Sequence, residues 1–292
     1  MISFYLFKFF EFFLALLPFT FQRAFFSGLA KLADLIDSKH KKVVYQNLEH
    51  VYKDKISESE KKAIYKGCHK NLMMVILQVM RSFKATPEEI EKEVSFKNLH
   101  FIQEAQKEGK KLIFVSAHYG NWELGAVAIS SLITPVTAIY KKFNNAYFDD
   151  YLIASRSRFS MHLAEKRGAI KHFVKALKND QSVMLMMDQS INEKEGVEVD
   201  FLGQKAIQTA APAFLARKFD ALIIPIFMDV EHKNEIYICE PITTDKSNNA
   251  DKDIAEASQK LSNALSEVVK QHPEPWFWCH RRFKSVDESI YS

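Results

Sequence analysis

From about residue 94, short apolar or β-branched runs alternate with longer stretches of helical periodicity, and this alternation most constrains the fold. It predicts an α/β domain over residues 94–292, with a mainly parallel central sheet flanked by helices. The predicted strands are Leu112–Ala117, Val136–Tyr140, Val183–Met187, Leu222–Met228 and Glu235–Cys239. The predicted helices are Trp122–Leu132, Ala146–Arg158, Ile170–Lys178, Thr209–Phe219 and Asp253–His272.

Residues 27–93 predict a helical region packed on this domain. Apolar residues recur there at helical spacing. Ser57–Glu60 has the sequence of a capping box, and Thr86-Pro87 is typical of a helix start with proline at its first position.

Residues 1–26 are strongly apolar and hold ten of the 24 phenylalanines. Lys8 and Glu11 interrupt them, three residues apart and so on one helix face. A narrow polar stripe beside a wide apolar face predicts a membrane-associating helix that lies in the interface, and a helix that spans the bilayer is the alternative. In the spanning case, the basic residues that follow place the main domain in the cytoplasm.

Composition excludes several classes of function. A net charge of +4 suits an anionic membrane surface and gives little support for nucleic-acid binding. The three cysteines form no CxxC pair, the histidines show no metal-ligand spacing, and no P-loop or GxGxxG occurs. We therefore expect no metal, no cofactor and no nucleic-acid partner.

The segment around His118 is the strongest candidate for a catalytic site. An apolar strand is predicted to end at Ala117, His118 begins the turn, and Asn121 can cap the next helix. In open α/β sheets, sites lie beyond the carboxyl ends of the strands. A neutral imidazole there can deprotonate a hydroxyl, and a carboxylate that holds its tautomer improves it as a base. Glu123 lies across the turn and is the expected partner, although a structural histidine beside a helix-start glutamate fits the same spacing.

His118-Tyr-Gly-Asn-Trp-Glu123 resembles the HxxNWE signature of the bacterial lipid A late acyltransferases, the lauroyl and myristoyl transferases of endotoxin synthesis. Pro273–Lys284 is similar to the tryptophan- and arginine-rich segment near the end of that family, and Asp188-Gln189 to its Asp-Gln/His pair. The resemblance covers nearly the whole chain and implies a fold like that of the glycerol-phosphate acyltransferases.

The resemblance also implies substrates and a location. The donor would be an acyl group on acyl carrier protein, and the acceptor a phosphorylated, acylated glucosamine disaccharide, the lipid A precursor. Transfer would be direct and would take place on the cytoplasmic side of the inner membrane, among its lipids. An acyltransferase acting on another phospholipid or glycolipid, or a thioesterase-like hydrolase, remains an alternative.

Further site residues follow from the same resemblance. Besides the catalytic pair His118 and Glu123, we expect substrate or oxyanion contacts from Arg156, Asp188, Asn121, Lys141, Arg281 and Arg282. Lys141 stands where the family has an arginine. Lysine keeps the positive charge but lacks the planar guanidinium group, which binds an anion at two points. The nearby Trp276 and Trp278 fit either the membrane interface or the protein core.

Overall fold

The computed structural model describes residues 2–166, 168–228 and 234–292. Its helices are α1 (Ile2–Ala15), α2 (Phe19–Ile36), α3 (Ser38–Tyr52), α4 (Glu58–Ser82), α5 (Pro87–Glu93), α6 (His100–Lys107), α7 (Trp122–Ala128), α8 (Ala146–Ser157), α9 (Ala169–Lys178), α10 (Ala211–Phe219) and α11 (Ala250–Gln271). Its strands are β1 (Ser95–Lys97), β2 (Leu112–Ser116), β3 (Val136–Tyr140), β4 (Met161–Glu165), β5 (Ser182–Met186), β6 (Gly196–Phe201), β7 (Gln204–Thr209), β8 (Leu222–Met228) and β9 (Glu235–Ile238).

Seven strands form one sheet in the order β1-β9-β8-β2-β5-β3-β4. All neighbouring pairs are parallel except β8 and β9. Strands β6 and β7 form a separate antiparallel hairpin. The predicted α/β class with a mainly parallel sheet is therefore confirmed.

Strand β2 lies at the centre of the sheet, and all five of its residues are buried. Ile113 and Val115 face one apolar cluster, whereas Leu112 and Phe114 face the other, as the two-residue period of a strand requires. Helices cover both faces, which explains why the parallel strands have continuous apolar sequences.

The five predicted strands are all present, with ends within one residue of the prediction. The strands that the prediction missed are β1, β4, β6 and β7. Strands β1 and β4 lie at the two edges of the sheet, where one side chain face is only partly buried and the apolar signal is weak. The hairpin packs against α11, outside the central sheet.

The apolar N-terminus forms two helices, so the prediction of one helix through residue 26 is wrong. Pro18 separates α1 from α2, because its ring cannot donate a backbone hydrogen bond and clashes with the preceding turn. Both predicted capping boxes, at Ser57 and Thr86, are present.

The polar stripe of α1 faces the protein. Glu11 is buried and accepts a hydrogen bond from Tyr151 of α8, while Lys8 pairs with Glu11 and lies over the rings of Phe83 and Tyr151. The opposite face of α1 stays open, with Phe9, Phe12 and Phe13 more than half exposed. Among the described helices, none has the length and apolar character needed to cross a bilayer.

Helix α3 holds the C-terminal segment through one buried amide. Asn47 is fully buried; its Nδ2 donates to the carbonyls of Trp278 and His280, at 2.7 and 2.8 Å, and its Oδ1 accepts from Tyr291 Oη at 2.5 Å. A single side chain thus fixes the path of the chain on both sides of Arg281.

Replacing Asn47 with Ala should lower the free energy of unfolding by about 2–4 kcal/mol, because three hydrogen bonds are lost and their buried partners stay unpaired. Urea denaturation of the detergent-solubilised protein measures the loss. Gln46→Ala is the matched control: its one bond, to the carbonyl of the terminal Ser292, is exposed, and we expect a change below about 0.5 kcal/mol. Equal effects of the two substitutions would contradict this role for Asn47.

Candidate active site

His118 and Asp188 meet at the carboxyl edge of the sheet. They follow the neighbouring parallel strands β2 and β5, in which Ser116 is paired with Met186, so each stands two residues beyond the last pair. His118 Nδ1 lies 2.8 Å from Asp188 Oδ1, and the backbone N–H of His118 donates to Oδ2 at 2.9 Å. Trp276 Nε1 donates to the same Oδ2 at 2.9 Å.

This arrangement selects one tautomer of the histidine. A proton on Nδ1 is held by Asp188, which leaves the lone pair of Nε2 free to accept a proton. The ring is one-fifth exposed and lies near the rings of Trp122 and Phe277. This geometry leaves Nε2 of His118 as the ring nitrogen that can accept a proton, on a side chain that is partly exposed.

Electrostatics favours an ion pair when His118 takes up a proton. Burial acts to lower the pKa of His118, but the charge and hydrogen bond of Asp188 outweigh it and raise the pKa above its ordinary value. Burial likewise acts to raise the pKa of Asp188, and the contacts with His118 and Trp276 outweigh it and hold that pKa low. Asp188 thus stays ionised and stabilises the imidazolium.

Glu123 was predicted to orient His118, and the structure assigns that contact to Asp188 instead. Glu123 lies in the first turn of α7 and pairs with Arg156 of α8, whose Nε donates to Oε2 at 3.0 Å and whose Nη2 donates to Oε1. The reason is geometric: the planar guanidinium binds both carboxylate oxygens, whereas Asp188 already occupies Nδ1 of the ring. Both charges of this pair still act on the pKa of His118: Glu123 raises it and Arg156 lowers it.

The turn that carries His118 is held from three sides. Gly120 has a φ of +58°, and a Cβ added to it would lie 2.7 Å from Cβ of Met228, so glycine is required here. Asn71 of α4 donates to the carbonyls of Gly120 and Pro275, and Phe277 N–H donates to the carbonyl of His118 at 2.9 Å. Asn71 was not predicted as a site residue, because nothing in the helical sequence around it marks this contact.

The remaining predicted residues have different positions. Asn121 caps α7 through the N–H of Leu124, so its role is structural. Lys141 is exposed directly after β3, at the same edge of the sheet, and Arg281 is exposed too.

Arg282, predicted to contact the substrate or the oxyanion, is fully buried and cannot reach either in this structure. Its Nη1 donates to the carbonyls of Ile207 and Gln189, which ties the hairpin and the strand end beyond Asp188 together. Trp276 and Trp278 are also buried, so of the two predicted locations they occupy the protein core and not the membrane interface.

The cysteines and potential metal ligands add no further site in the described ranges. Cys68 and Cys279 are buried free thiols with sulfur atoms 3.8 Å apart. Within those ranges, no three His, Cys, Asp or Glu side chains gather as metal ligands would.

Comparison with known proteins identifies relatives over nearly the whole chain. The family described as bacterial lipid A biosynthesis acyltransferase matches residues 1–285. The chain is 22% identical over 266 residues to the lipid A biosynthesis lauroyltransferase of Escherichia coli K12, covering 91% of this chain and 86% of that protein. It is 22% identical over 280 residues to the myristoyltransferase of the same pathway and organism, covering 93% and 84%. It is 21% identical over 248 residues to the palmitoleoyltransferase, covering 85% and 79%.

Replacing Asp188 with Asn should lower the transfer rate by about 10³–10⁴, since the amide no longer stabilises the imidazolium. His118 must be neutral to act as a base, so the rate of the unmodified protein should rise as the pH passes upward through the raised pKa of His118. In the variant that pKa falls, because burial then dominates, and the acidic limb of the pH–rate profile should move to lower pH. Asp245→Asn, in an exposed loop, is the control and should leave the profile unchanged. An acidic limb that stays in place in the Asp188 variant would contradict the pairing.

Proposed function

The chain belongs to the bacterial lipid A biosynthesis acyltransferase family, and we propose that it moves a fatty acyl chain from acyl carrier protein to a hydroxyl of a lipid A precursor, an acylated glucosamine disaccharide. The observation that carries the proposal is the His118–Asp188 pair at the carboxyl edge of the sheet, with Nε2 of the ring left as the base. The acceptor supplies the nucleophile, so the chemistry needs no serine or cysteine of the enzyme.

The proposed reaction has two steps. His118 Nε2 takes the proton of the acceptor hydroxyl as its oxygen attacks the thioester carbonyl carbon, which gives a tetrahedral oxyanion. The carbon–sulfur bond then breaks, the carbonyl forms again, and the departing sulfur receives the proton from the imidazolium. The products are the acyl ester of the acceptor and the free thiol of the carrier.

Arg156 is the proposed stabiliser of the oxyanion. Its Nε and Nη2 are bound to Glu123, and its third nitrogen, Nη1, has no hydrogen-bond partner among the described residues. The side chain is one-fifth exposed and close enough to affect the pKa of His118. Glu123 thus positions Arg156, and a donor of this kind contributes about 10²–10³ in rate.

We also propose that the protein works on the inner membrane, with its catalytic domain on the cytoplasmic side. Large apolar side chains of α1 and α2 face outward. Ile2, Leu6, Phe9, Leu16 and Phe21 are each more than 60% exposed. An outward apolar face of this extent supports insertion into the interface of a bilayer, and the net positive charge adds attraction to anionic lipids.

Deleting the gene should remove one acyl chain from lipid A, and a gene encoding His118→Ala should fail to restore it. Mass spectrometry of extracted lipid A measures the number and mass of the chains. His162→Ala, an exposed histidine on the edge strand β4, is the control and should restore the full pattern. An unchanged lipid A after deletion would contradict the function, and acceptor-independent release of fatty acid at the full rate would favour the hydrolase alternative.

Replacing Phe9, Phe12 and Phe13 with Ser should weaken binding to anionic vesicles by at least about 100-fold, given about 1.5 kcal/mol or more for each buried aromatic side chain. The rings of these phenylalanines contact one another, and about half or more of the surface of each residue stays exposed. Vesicle flotation measures binding, and Phe214→Ser, an exposed phenylalanine on α10, is the control. Undiminished flotation of the triple variant would contradict interfacial insertion through α1.

A further inference from the structure

A cavity of about 570 Å³ opens at the carboxyl edge of the sheet, the edge that also carries His118 and Asp188. Its walls come from the start of α3, the end of β4, the loop after β5 and the C-terminal segment. Among its lining residues are Lys39, Lys166, Ser190, His280, Arg281 and Lys284.

The walls carry a strong excess of positive charge. Lys39, Lys166, Arg281 and Lys284 are cations at neutral pH, and among the described lining residues Glu195 is the one carboxylate. Lys39 and Lys166 form no side-chain hydrogen bond or ion pair within the described ranges, and Lys284 is paired only on the outside, with Glu288 at 3.2 Å. Four cations around one cavity repel each other, so an anion between them is stabilised.

Part of the cavity lining is uncharged and hydrogen-bonded. Burial lowers the pKa of His280 to about 4, so its ring is neutral, and its Nε2 accepts the N–H of Ser190 at 2.8 Å. The hydroxyl of Ser190 lies 2.7 Å from that of Ser285, which donates to the carbonyl of Ile191 at 2.6 Å. The cations therefore line the cavity together with neutral, hydrogen-bonded side chains, a combination that suits a small anion.

The position of the cavity links it to both the reaction and the apolar surface. Ser190 follows Asp188 by two residues, and His280 follows Phe277, which holds the carbonyl of His118, by three. On the other side, Lys39 follows Leu35 and Ile36, which are 82% and 73% exposed at the end of α2. Lys39 thus follows closely on an exposed apolar surface, where a cation can meet the head group of a lipid.

We propose that this cavity binds a phosphate monoester on the sugar head group of the acceptor lipid. The inference rests on the proposed function and adds a subsite to it. A volume of about 570 Å³ lies within the range of small-ligand pockets and accommodates one phosphorylated sugar, while the acyl chains stay outside along the apolar surface. Bound there, the phosphate would place the rest of the acceptor towards His118.

The test is a kinetic comparison of Lys39→Ala/Lys166→Ala with the unmodified enzyme, using phosphorylated and enzymatically dephosphorylated acceptor. With the phosphorylated acceptor, KM should rise about tenfold for each cation removed, as expected for a charge-assisted contact. With the dephosphorylated acceptor, the two enzymes should differ less than about twofold. Lys252→Ala/Lys260→Ala, on the exposed face of α11, is the charge-matched control and should leave KM unchanged. Equal effects on both acceptors would overturn the subsite.

A second arm distinguishes the acceptor from the donor as the source of phosphate. The same enzymes are assayed with acyl-phosphopantetheine and with acyl-pantetheine, which lacks the phosphate. A KM increase of the double variant confined to the phosphorylated donor would overturn the assignment to the acceptor.

Failure of the proposed function can be separated from failure of the subsite. If the unmodified protein transfers no acyl chain to either acceptor, the proposed function fails. Calorimetric titration with glucosamine 1-phosphate then tests the cavity alone. Binding that is lost in Lys39→Ala/Lys166→Ala and kept in the control supports the subsite, and absence of binding overturns it.

Discussion

The carboxylate of Asp188 is the interaction on which the site depends. It is almost wholly buried, and such a charge is tolerated only when hydrogen bonds compensate the loss of water. Three donors do so: the backbone N–H of His118, the ring of His118 and the indole of Trp276. All three need β2 and β5 in their observed register, because a shift of one residue would turn the side chains to the opposite face of the sheet.

Helices α3 and α4 and the C-terminal segment lie far from Asp188 in the sequence, and they hold the residues around it in place. Helix α4 supplies Asn71 to the turn after β2, and helix α3 supplies Asn47 to the C-terminal segment. The C-terminal segment in turn supplies Trp276 to Asp188 and the N–H of Phe277 to the carbonyl of His118. Asn47 is buried and Asn71 half-buried, and each buried polar atom left unpaired would cost about 1–3 kcal/mol. The helical region thus fixes the turn that carries His118 as well as covering the sheet.

The sequence predicts the central strands well because a buried parallel strand has a continuous apolar run, as in Leu112–Ser116. It predicts His118 because the residue begins the turn directly after such a run. It does not predict which carboxylate meets the ring, since strand order decides that: β5 lies beside β2, although β3 and β4 come between them in the chain. Glu123 is near His118 in the sequence, but the tertiary structure brings Asp188 to the ring instead.

The limit of prediction from sequence is clearest for charged residues, because the type of a residue does not reveal whether it is buried. Arg281 and Arg282 are adjacent, yet one is exposed beside a cationic cavity and the other is fully buried against backbone carbonyls and the ring of Phe201. Lys8 and Glu11 formed the expected polar stripe, but it faces Tyr151 within the protein. This orientation leaves the phenylalanines of α1 outward, so the buried ion pair and the exposed apolar face are two consequences of one docking geometry. The side of a helix that carries its charges can therefore decide which apolar side chains remain exposed on the surface of the protein.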